Sequence, residues 1–284
     1  MLPLSDYLDI AVRAAHAGAA ILQQHRATPG ELVIDHKGRN DLVSQADRES
    51  EQVVMDILKK ETPNIGLIGE ESGGSPGSQL TWYIDPLDGT TNYLHGFTHY
   101  AVSIGLVAHA GSTDAMGQTL TVDTPILGVV YDPNREEMFT AMHRVGAWCN
   151  GHRLQMANID RLADALIAIG IPMRDFTYLD PYFTALKEVM LHTRGVRRQG
   201  SAALDLAWVA CGRVNAYWEQ GIQSWDVAAG TVIAREAGAW VNDPYDNQAS
   251  WPEKGRVLAI SPRLKDDFLA LINPAMQKVF NPTT

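Results

Sequence analysis

The segment WYIDPLDGTTN, residues 82–92, decides the fold expected for this chain. Its apolar start, Trp82–Ile84, predicts a buried strand that runs directly into two aspartates, Asp85 and Asp88. The Gly-Thr-Thr-Asn that follows is suited to a tight turn and a helix start. In α/β proteins ligands bind at strand ends, where carboxylates can hold hard divalent cations and helix-start N–H groups can hold a phosphate. The segment therefore predicts a metal site beside a phosphate site, which suggests phosphoryl chemistry.

Length and composition are those of an ordinary globular protein. The 284 residues suffice for one large domain or two subdomains sharing a core. The net charge of −10 argues against a general nucleic-acid-binding surface, because such surfaces are basic. We expect no secretory signal and no transmembrane helix, since no apolar run reaches about 18 residues. Cys149 and Cys211 form no C-x-x-C pair and are expected to be reduced thiols of a cytoplasmic protein, with a single disulfide as the minor alternative.

The first half of the chain predicts helices followed by a largely antiparallel sheet. Apolar spacing predicts helices over residues 4–26 and 45–60. Strands are predicted over residues 66–69, 82–84, 101–107, 127–131 and 137–142. Loops are predicted at 37–41 and 73–78, an exposed insertion at 111–124, and a hairpin turn at Asn150-Gly151.

The second half alternates strands and helices. Strands are predicted over residues 165–170, 195–198, 214–219, 239–242 and 257–260. Helices are predicted over residues 180–192, 201–212 and 225–238, with a closing helix from Pro262. We place a subdomain border near residues 145–160, which divides the chain into residues 1–150, an α+β unit, and residues 151–284, an α/β unit, within one compact body.

Four further segments accompany the aspartate motif in a fixed order: Asp41–Asp47, Gly69–Ser72, Gly200–Asp205, and Glu219 through the helix start Trp225–Gly230. Together the five segments resemble the signature of the inositol monophosphatase family, whose members are Mg²⁺-dependent, lithium-sensitive sugar phosphatases. The pairing of DPLDGTTN with WDVAAG is highly specific, and SAALD after Arg197-Arg198 is most similar to the bacterial branch. The resemblance spans nearly the whole chain and implies an α/β fold, a layered αβαβα sandwich.

Taken singly, these acidic residues have ordinary explanations. An aspartate at a helix start, such as Asp47 or Asp226, usually caps the helix. Glu70-Glu71 alone predicts a solvated strand end, and Asp85 and Asp88 alone could be turn formers. Their joint occurrence in the order of the family favours the functional interpretation.

Other polar residues near the motifs carry no chemistry in this interpretation. His95 and His99 are expected to be surface histidines, because hard oxygen sites do not favour imidazole. Ser201 lacks the G-x-S-x-G context of a serine nucleophile. Arg197-Arg198 is expected to be a solvated or interface pair more than a phosphate clamp, and the tryptophans are expected to pack in the core or an interface.

The resemblance implies a role for each matching residue. Two to three Mg²⁺ ions would be held: one by Glu70, Asp85 and the Leu87 carbonyl, one by Asp85, Asp88 and Asp226, and a looser third near Glu70. The implied catalytic residues are Asp47 and Thr90, which orient and deprotonate water, and Glu70. The implied substrate contacts are the N–H groups of Gly89 and Thr90 for phosphate, the Ala202 backbone, Glu219 and Asp226 for the polyol hydroxyls, and Asp88.

The implied reaction is hydrolysis of myo-inositol monophosphate or a related small polyol phosphate, by a homodimer. Rivals within the class are fructose-1,6-bisphosphatase, histidinol-phosphate phosphatase and 3′-phosphoadenosine nucleotidase. Glu219 favours a hydroxyl-rich ligand, and the sequence reveals no clear basic pocket for a second phosphate. Some bacterial relatives are also associated with transcription antitermination complexes. The acidic charge favours a protein contact over direct RNA binding in that role.

Overall fold

The computed structural model describes residues 2–27, 34–38, 41–113 and 117–280. The helices are α1 (Leu4–Arg26), α2 (Gln45–Glu61), α3 (Thr90–Leu94), α4 (Leu179–His192), α5 (Ala202–Ala210), α6 (Ser224–Glu236) and α7 (Lys265–Phe280). The strands of the first half are β1 (Ile34–Gly38), β2 (Asp41–Ser44), β3 (Gly66–Gly69), β4 (Gly73–Ser75), β5 (Leu80–Asp88), β6 (Ala101–Ala108), β7 (Thr124–Asp132), β8 (Glu137–Met142), β9 (Gly146–Cys149) and β10 (His152–Arg153). Those of the second half are β11 (Leu166–Ile169), β12 (Gly195–Arg197), β13 (Ala216–Gln220), β14 (Trp240–Asn242) and β15 (Arg256–Ile260).

Two large sheets form the β layers. The first has eight strands in the order β10-β9-β8-β7-β6-β5-β3-β4, in which β3 and β5 are parallel and the other neighbours antiparallel. The second has five strands in the order β12-β11-β13-β15-β14, with β11 parallel to both its neighbours. β1 and β2 form a separate antiparallel pair.

Helices cover both sheets, which gives the layered αβαβα order. α1 and α2 bury their apolar faces on the eight-stranded sheet. α5 and α6 are almost wholly buried between the two sheets, and α4 and α7 cover the far face of the five-stranded sheet. Within the described ranges, no helix is both long and apolar enough to cross a membrane.

Most predicted elements are confirmed, with ends shifted by a few residues, but the loop at 73–78 was wrong in part. Gly73–Ser75 forms β4 and pairs with β3. The glycines suggested a turn, whereas Gly74 is there because a Cβ would overlap the carbonyl oxygen of Leu67. The loop predicted at 37–41 was also wrong in part, since residues 37–38 and 41 belong to strands. Residues 39–40 lie outside the described ranges.

The strand predicted at residues 82–84 continues through both aspartates to Asp88. The pairing with β6 shifts between Asp85↔Ser103 and Asp88↔Ala101, so two residues of β5, Pro86 and Leu87, lie opposite one residue of β6, Val102. Pro86 lies in this bulge, where its missing N–H interrupts no ladder hydrogen bond. The Leu87 N–H donates instead to Asp85 Oδ1 at 2.9 Å. The bulge therefore ends the strand with two carboxylates in fixed positions.

Two paired glycines let helix α6 approach the large sheet closely. Gly105 on β6 lies opposite Gly128 on β7. A Cβ on Gly105 would lie 2.7 Å from the Ala228 side chain, and one on Gly128 would overlap the backbone carbonyl of Ala229. Since Asp226 lies in the first turn of α6, this close approach sets its distance from the end of β5.

We predict that Gly128→Ala lowers the free energy of unfolding by about 3 kcal/mol, because the clashing atom belongs to a packed backbone. Urea denaturation would measure this loss. The matched control is Gly111→Ala, where the added Cβ meets open space but φ is +88°. That control should lose only about 1 kcal/mol of backbone strain. Equal losses in the two variants would contradict the packing account.

Candidate active site

Three carboxylates meet where β5 ends against α6. Asp85 and Asp88 come from the bulge, and Asp226 from the first helical turn. One oxygen from each lies within 4.8 Å of the others. Asp85 and Asp88 are only 1% and 8% exposed. Clustered carboxylate oxygens are the donors that hard divalent cations prefer, so these three residues could hold a metal ion.

Hydrogen bonds from neighbouring elements hold two of these carboxylates in place. Asp88 Oδ2 accepts from Ser201 Oγ at 2.6 Å and from the Ala203 N–H at 2.7 Å, at the start of α5. Asp226 Oδ2 accepts from the Gln223 N–H at 2.6 Å. Asp226 therefore caps its own helix and also belongs to the cluster, because a carboxylate has two oxygens.

Burial and mutual repulsion both act on the charges of the cluster. Burial, followed by the negative charges of Glu70, Asp88 and Asp226, raises the pKa of Asp85 well above its ordinary range. Burial and the charge of Asp226 raise the pKa of Asp88 to about 7, against the opposing hydrogen bonds from Ser201 and Ala203. A divalent cation would offset this repulsion, so the donor set and its charge fit a bound metal.

Glu70 and Leu87 lie beside the cluster. Glu70 follows β3 directly and lines the same cleft, and its charge acts on Asp85, although it is not one of the three mutually close carboxylates. Leu87 is 1% exposed, and its carbonyl accepts from Thr90 Oγ1 at 3.1 Å. The structure thus brings both predicted residues to the cleft.

The predicted water-activating pair, Asp47 and Thr90, is brought together by two helix starts. Asp47 Oδ2 accepts from the Ser44 N–H at 2.9 Å and from the Ser44 hydroxyl, in the capping box of α2. Its Oδ1 lies 3.4 Å from Thr90 Oγ1. The capping role of Asp47 is therefore real, and it also aims the second oxygen at Thr90.

The turn into α3 forms the floor of the cleft. Gly89 has φ +97°, and a Cβ there would lie 2.9 Å from the His99 carbonyl oxygen. Only glycine adopts this conformation readily. Gly89, Thr90 and Thr91 all line the cleft, and the first N–H groups of a helix have no intrahelical acceptor. Their backbone could therefore meet an anion placed next to the carboxylates.

Glu219 and Ala202 form part of the facing wall. Tyr217 Oη donates to Glu219 Oε2 at 2.6 Å, and burial raises the pKa of Glu219 to about 7. Gly170 on the neighbouring strand end leaves room for this carboxylate, because a Cβ would overlap it. Ala202 opens α5 at the edge of the cleft.

One of the expectations about basic and histidine residues was wrong, that for His99. Arg197 and Arg198 are both exposed, as expected of a solvated pair, and Arg198 together with Arg174 lines the cleft and forms a basic wall there. His99 is half-buried, with its ring centroid 4.8 Å from that of Trp208, and burial lowers its pKa to about 4. His95 is exposed at the cleft, as expected.

Sequence inspection missed Asn92 and the segment before α4. Asn92 Nδ2 donates to the His99 carbonyl at 2.7 Å and to the Gln199 carbonyl at 2.8 Å, which ties α3 to the segment leading into α5. Arg174 and Tyr178 lie in an irregular segment with no motif to mark it. The described residues of the 111–124 insertion do not line the cleft.

We predict that the metal-free protein loses stability as the pH rises through the carboxylate pKa values. Folding raises the pKa of Asp88 from 3.8 to about 7, so between these values the folded protein binds more protons than the unfolded chain. Stability from this group is therefore fully present below the lower value and is lost toward the upper one. Thermal melting in EDTA at about pH 5 and about pH 8 would measure the loss.

Excess Mg²⁺ should remove most of that loss, and Asp88→Asn should show a weaker pH dependence in EDTA. Identical melting temperatures with EDTA and with Mg²⁺ at the higher pH would contradict the cluster's role as a cation site.

Comparisons with known proteins show the family of this chain. The family model described as the inositol monophosphatase family matches residues 4–277. The chain is 36% identical to Nus factor SuhB of Pasteurella multocida, over 98% of this chain and 99% of that protein. It is 39% identical to inositol-1-monophosphatase of Mesorhizobium japonicum, over 90% and 91% of the two chains. The crystal structure of extragenic suppressor protein suhB from Bartonella henselae is similar with a TM-score of 0.84, at 35% identity over 94% and 98%. This chain belongs to the inositol monophosphatase family.

Proposed function

We propose that this protein is a Mg²⁺-dependent phosphomonoesterase that hydrolyses myo-inositol monophosphate or a closely related polyol phosphate in the cytoplasm. The observation that carries the proposal is the cluster of Asp85, Asp88 and Asp226, which lines one cleft of about 580 Å³. Thr90, the hydrogen-bond partner of the buried Asp47, lines the same cleft. A relative named inositol-1-monophosphatase supports the substrate class.

Two to three Mg²⁺ ions would be held by carboxylates and one carbonyl. Glu70, Asp85 and the Leu87 carbonyl would hold the first ion, and Asp85, Asp88 and Asp226 would hold the second. A third, weaker site would lie near Glu70. When bound, these ions lower the pKa of a coordinated water and neutralise charge on the leaving oxygen. The negative residues alone could not bind a phosphate, since they would repel it.

The remaining groups position water and substrate. Thr90 Oγ1 can donate to Asp47 and accept from water, so Asp47 can receive the proton of the attacking water through Thr90. The N–H groups of Gly89 and Thr90 would bind phosphate oxygens and stabilise their charge as the P–O bond breaks. Glu219 and the Ala202 backbone, on the facing wall, would accept and donate hydrogen bonds to the polyol hydroxyls.

The basic wall makes a second substrate class the alternative. Arg174 and Arg198 line the same cleft, and Arg198 forms no hydrogen bond or ion pair with any residue that the structure describes. Its charge opposes the rise in the pKa of Glu219. A substrate with a second phosphate, such as fructose 1,6-bisphosphate, could place that group against these guanidiniums.

A panel of phosphate esters separates these candidates. We expect Mg²⁺-dependent phosphate release from inositol 1-phosphate that EDTA abolishes. Fructose 1,6-bisphosphate, histidinol phosphate and 3′-phosphoadenosine 5′-phosphate should be poorer substrates. If the bisphosphate is preferred, and Arg198→Ala removes that preference alone, the basic wall sets the substrate class. No release from any of them would contradict the proposal.

Asp88→Asn should lower kcat by at least about 100-fold, because even an outer partner of a metal ligand is worth roughly 10–100-fold. The fold should survive, since Asn keeps an oxygen acceptor for Ser201 and Ala203. Phosphate release and melting in EDTA would be measured together. Activity near the wild-type level would remove Asp88 from the metal site.

We also expect inhibition by millimolar LiCl at limiting Mg²⁺, because Li⁺ would compete for the place formed by Asp85, Asp88 and Asp226. Initial rates with LiCl and with KCl at equal ionic strength would test this. Rates that are the same in both salts would refute it.

A protein-binding role is the second candidate function, because relatives are named Nus factor SuhB. One face of α4 exposes large apolar side chains, with Phe183, Met190 and Leu191 at 48%, 56% and 67% exposure. We propose that this face contacts either a transcription-complex protein or a second copy in a homodimer. Pull-down of transcription factors by the Asp88→Asn variant, with and without Leu191→Ser, would separate binding from catalysis. Sedimentation of the same proteins would measure whether the chain forms a dimer.

A further inference from the structure

A buried carboxylate on α2 binds the turn that carries Glu70. Glu51 is 2% exposed. Its Oε2 accepts from the Glu71 N–H at 2.8 Å, and its Oε1 accepts from the Ser72 N–H at 2.7 Å. Both oxygens are therefore engaged by backbone donors. Such charge-assisted hydrogen bonds are stronger than neutral ones, so the turn is firmly attached to the helix.

The turn connects β3 to β4, and its first residue is Glu70. The Glu70 N–H donates to the Ile84 carbonyl on β5 at 3.1 Å. Three successive amides are thus fixed, one by the strand that leads to Asp85 and two by Glu51. Since the backbone on both sides of Glu70 is held, its side chain is directed into the cleft that it lines.

Gly69 makes room for this contact. A Cβ at Gly69 would lie 2.6 Å from Glu51 Oε2 and 2.5 Å from Met55 Cε. Both atoms are the ends of flexible side chains, so an added methyl group would displace the Glu51 carboxylate and leave the backbone in place. The glycine is needed for the approach of Glu51, as its φ lies outside the left-handed region.

Helix α2 holds Glu51 in register with the other reactive elements. Asp47, one helical turn earlier on the same face, contacts Thr90. Ser50 Oγ donates to the Pro86 carbonyl in the β5 bulge at 3.2 Å. These three buried residues lie along one side of a single helix, which therefore fixes α3, β5 and the Glu70 turn relative to one another.

We propose that Glu51 is a positioning residue for metal binding: it holds the Glu70–Ser72 turn so that Glu70 completes the Mg²⁺ site. The inference rests on the proposed function, because it takes Glu70 to be a metal ligand. Glu51 acts through the backbone of the turn, since both of its oxygens face amide donors.

The test compares four variants with the wild type. Glu51→Ala removes both acceptors, and Glu51→Gln keeps one. Gly69→Ala displaces the carboxylate without removing it, and Asp56→Asn is the matched control on the exposed face of the same helix. Calorimetry measures the Mg²⁺ affinity. Initial rates give the substrate KM and the Mg²⁺ concentration for half-maximal activity. Hydrogen exchange measures the protection of the Glu71 and Ser72 amides.

Glu51→Ala should weaken Mg²⁺ affinity by about 10–100-fold and raise the half-activating concentration in parallel. Substrate KM at saturating Mg²⁺ should change little, and the two amides should lose exchange protection. Gly69→Ala should reproduce this pattern, Glu51→Gln should fall between, and Asp56→Asn should match the wild type.

Unchanged Mg²⁺ affinity in Glu51→Ala and Gly69→Ala would overturn the inference, even if both variants melt earlier, because Glu51 would then have a structural role alone. If Glu51→Ala does not fold, Gly69→Ala and Glu51→Gln decide the question. A wild-type protein that binds no Mg²⁺ would overturn the proposed function itself, and this inference with it.

Discussion

Mutual repulsion among buried carboxylates is the constraint on which the rest of this structure depends. Asp85, Asp88 and Asp226 lie close together, and Glu70 adds its charge from the same cleft. Side chains in this arrangement would separate or become protonated if nothing held them. The protein holds each of the three aspartates in place by hydrogen bonds from the backbone or from short side chains, as at Ser201 and Ala203 for Asp88. The free energy lost to repulsion in the metal-free state is available to bind a cation.

The layers of the fold bring these groups together from distant parts of the chain. β5 ends in a bulge at the sheet edge, and α2 supplies Asp47 and Glu51 from one side. α6 delivers Asp226 from the other side, and its approach depends on the absence of side chains at Gly105 and Gly128. Packing in the core thus determines distances at the site, so substitutions far from the cleft can alter the geometry of the carboxylate cluster.

The resemblance to the family implied the layered fold. The neighbourhood of the acidic residues could also be predicted from the sequence, because strand-end aspartates and helix-start motifs are local patterns. The sequence could not predict how elements meet. Arg198 was expected at the surface or an interface and is exposed, but the sequence could not show that the turn before α5 places it at the cleft. Glu51 gave no signal, since a glutamate inside an amphipathic helix usually faces solvent. His99 was expected at the surface. Its packing against Trp208 could not be predicted, because this contact joins two distant segments of the chain.

Capping a helix and contributing to the site proved to be compatible roles for one aspartate. Asp47 and Asp226 each use one carboxylate oxygen at a helix start, while the rest of the side chain faces the site. A local pattern alone could not distinguish a cap from a ligand, because the same geometry serves both purposes. The two roles can be distinguished only in the folded protein, where α2, β5 and α6 bring their carboxylates to one site.

The most direct test of the central claim is anomalous diffraction from crystals soaked with Mn²⁺, which replaces Mg²⁺ at oxygen sites. The account predicts a strong peak in contact with Asp85, Asp88 and Asp226, and a second one between Asp85 and Glu70. Asp88→Asn crystals should lose or weaken the first of these peaks. Crystals of the wild-type protein with no anomalous peak at the cluster would contradict the account.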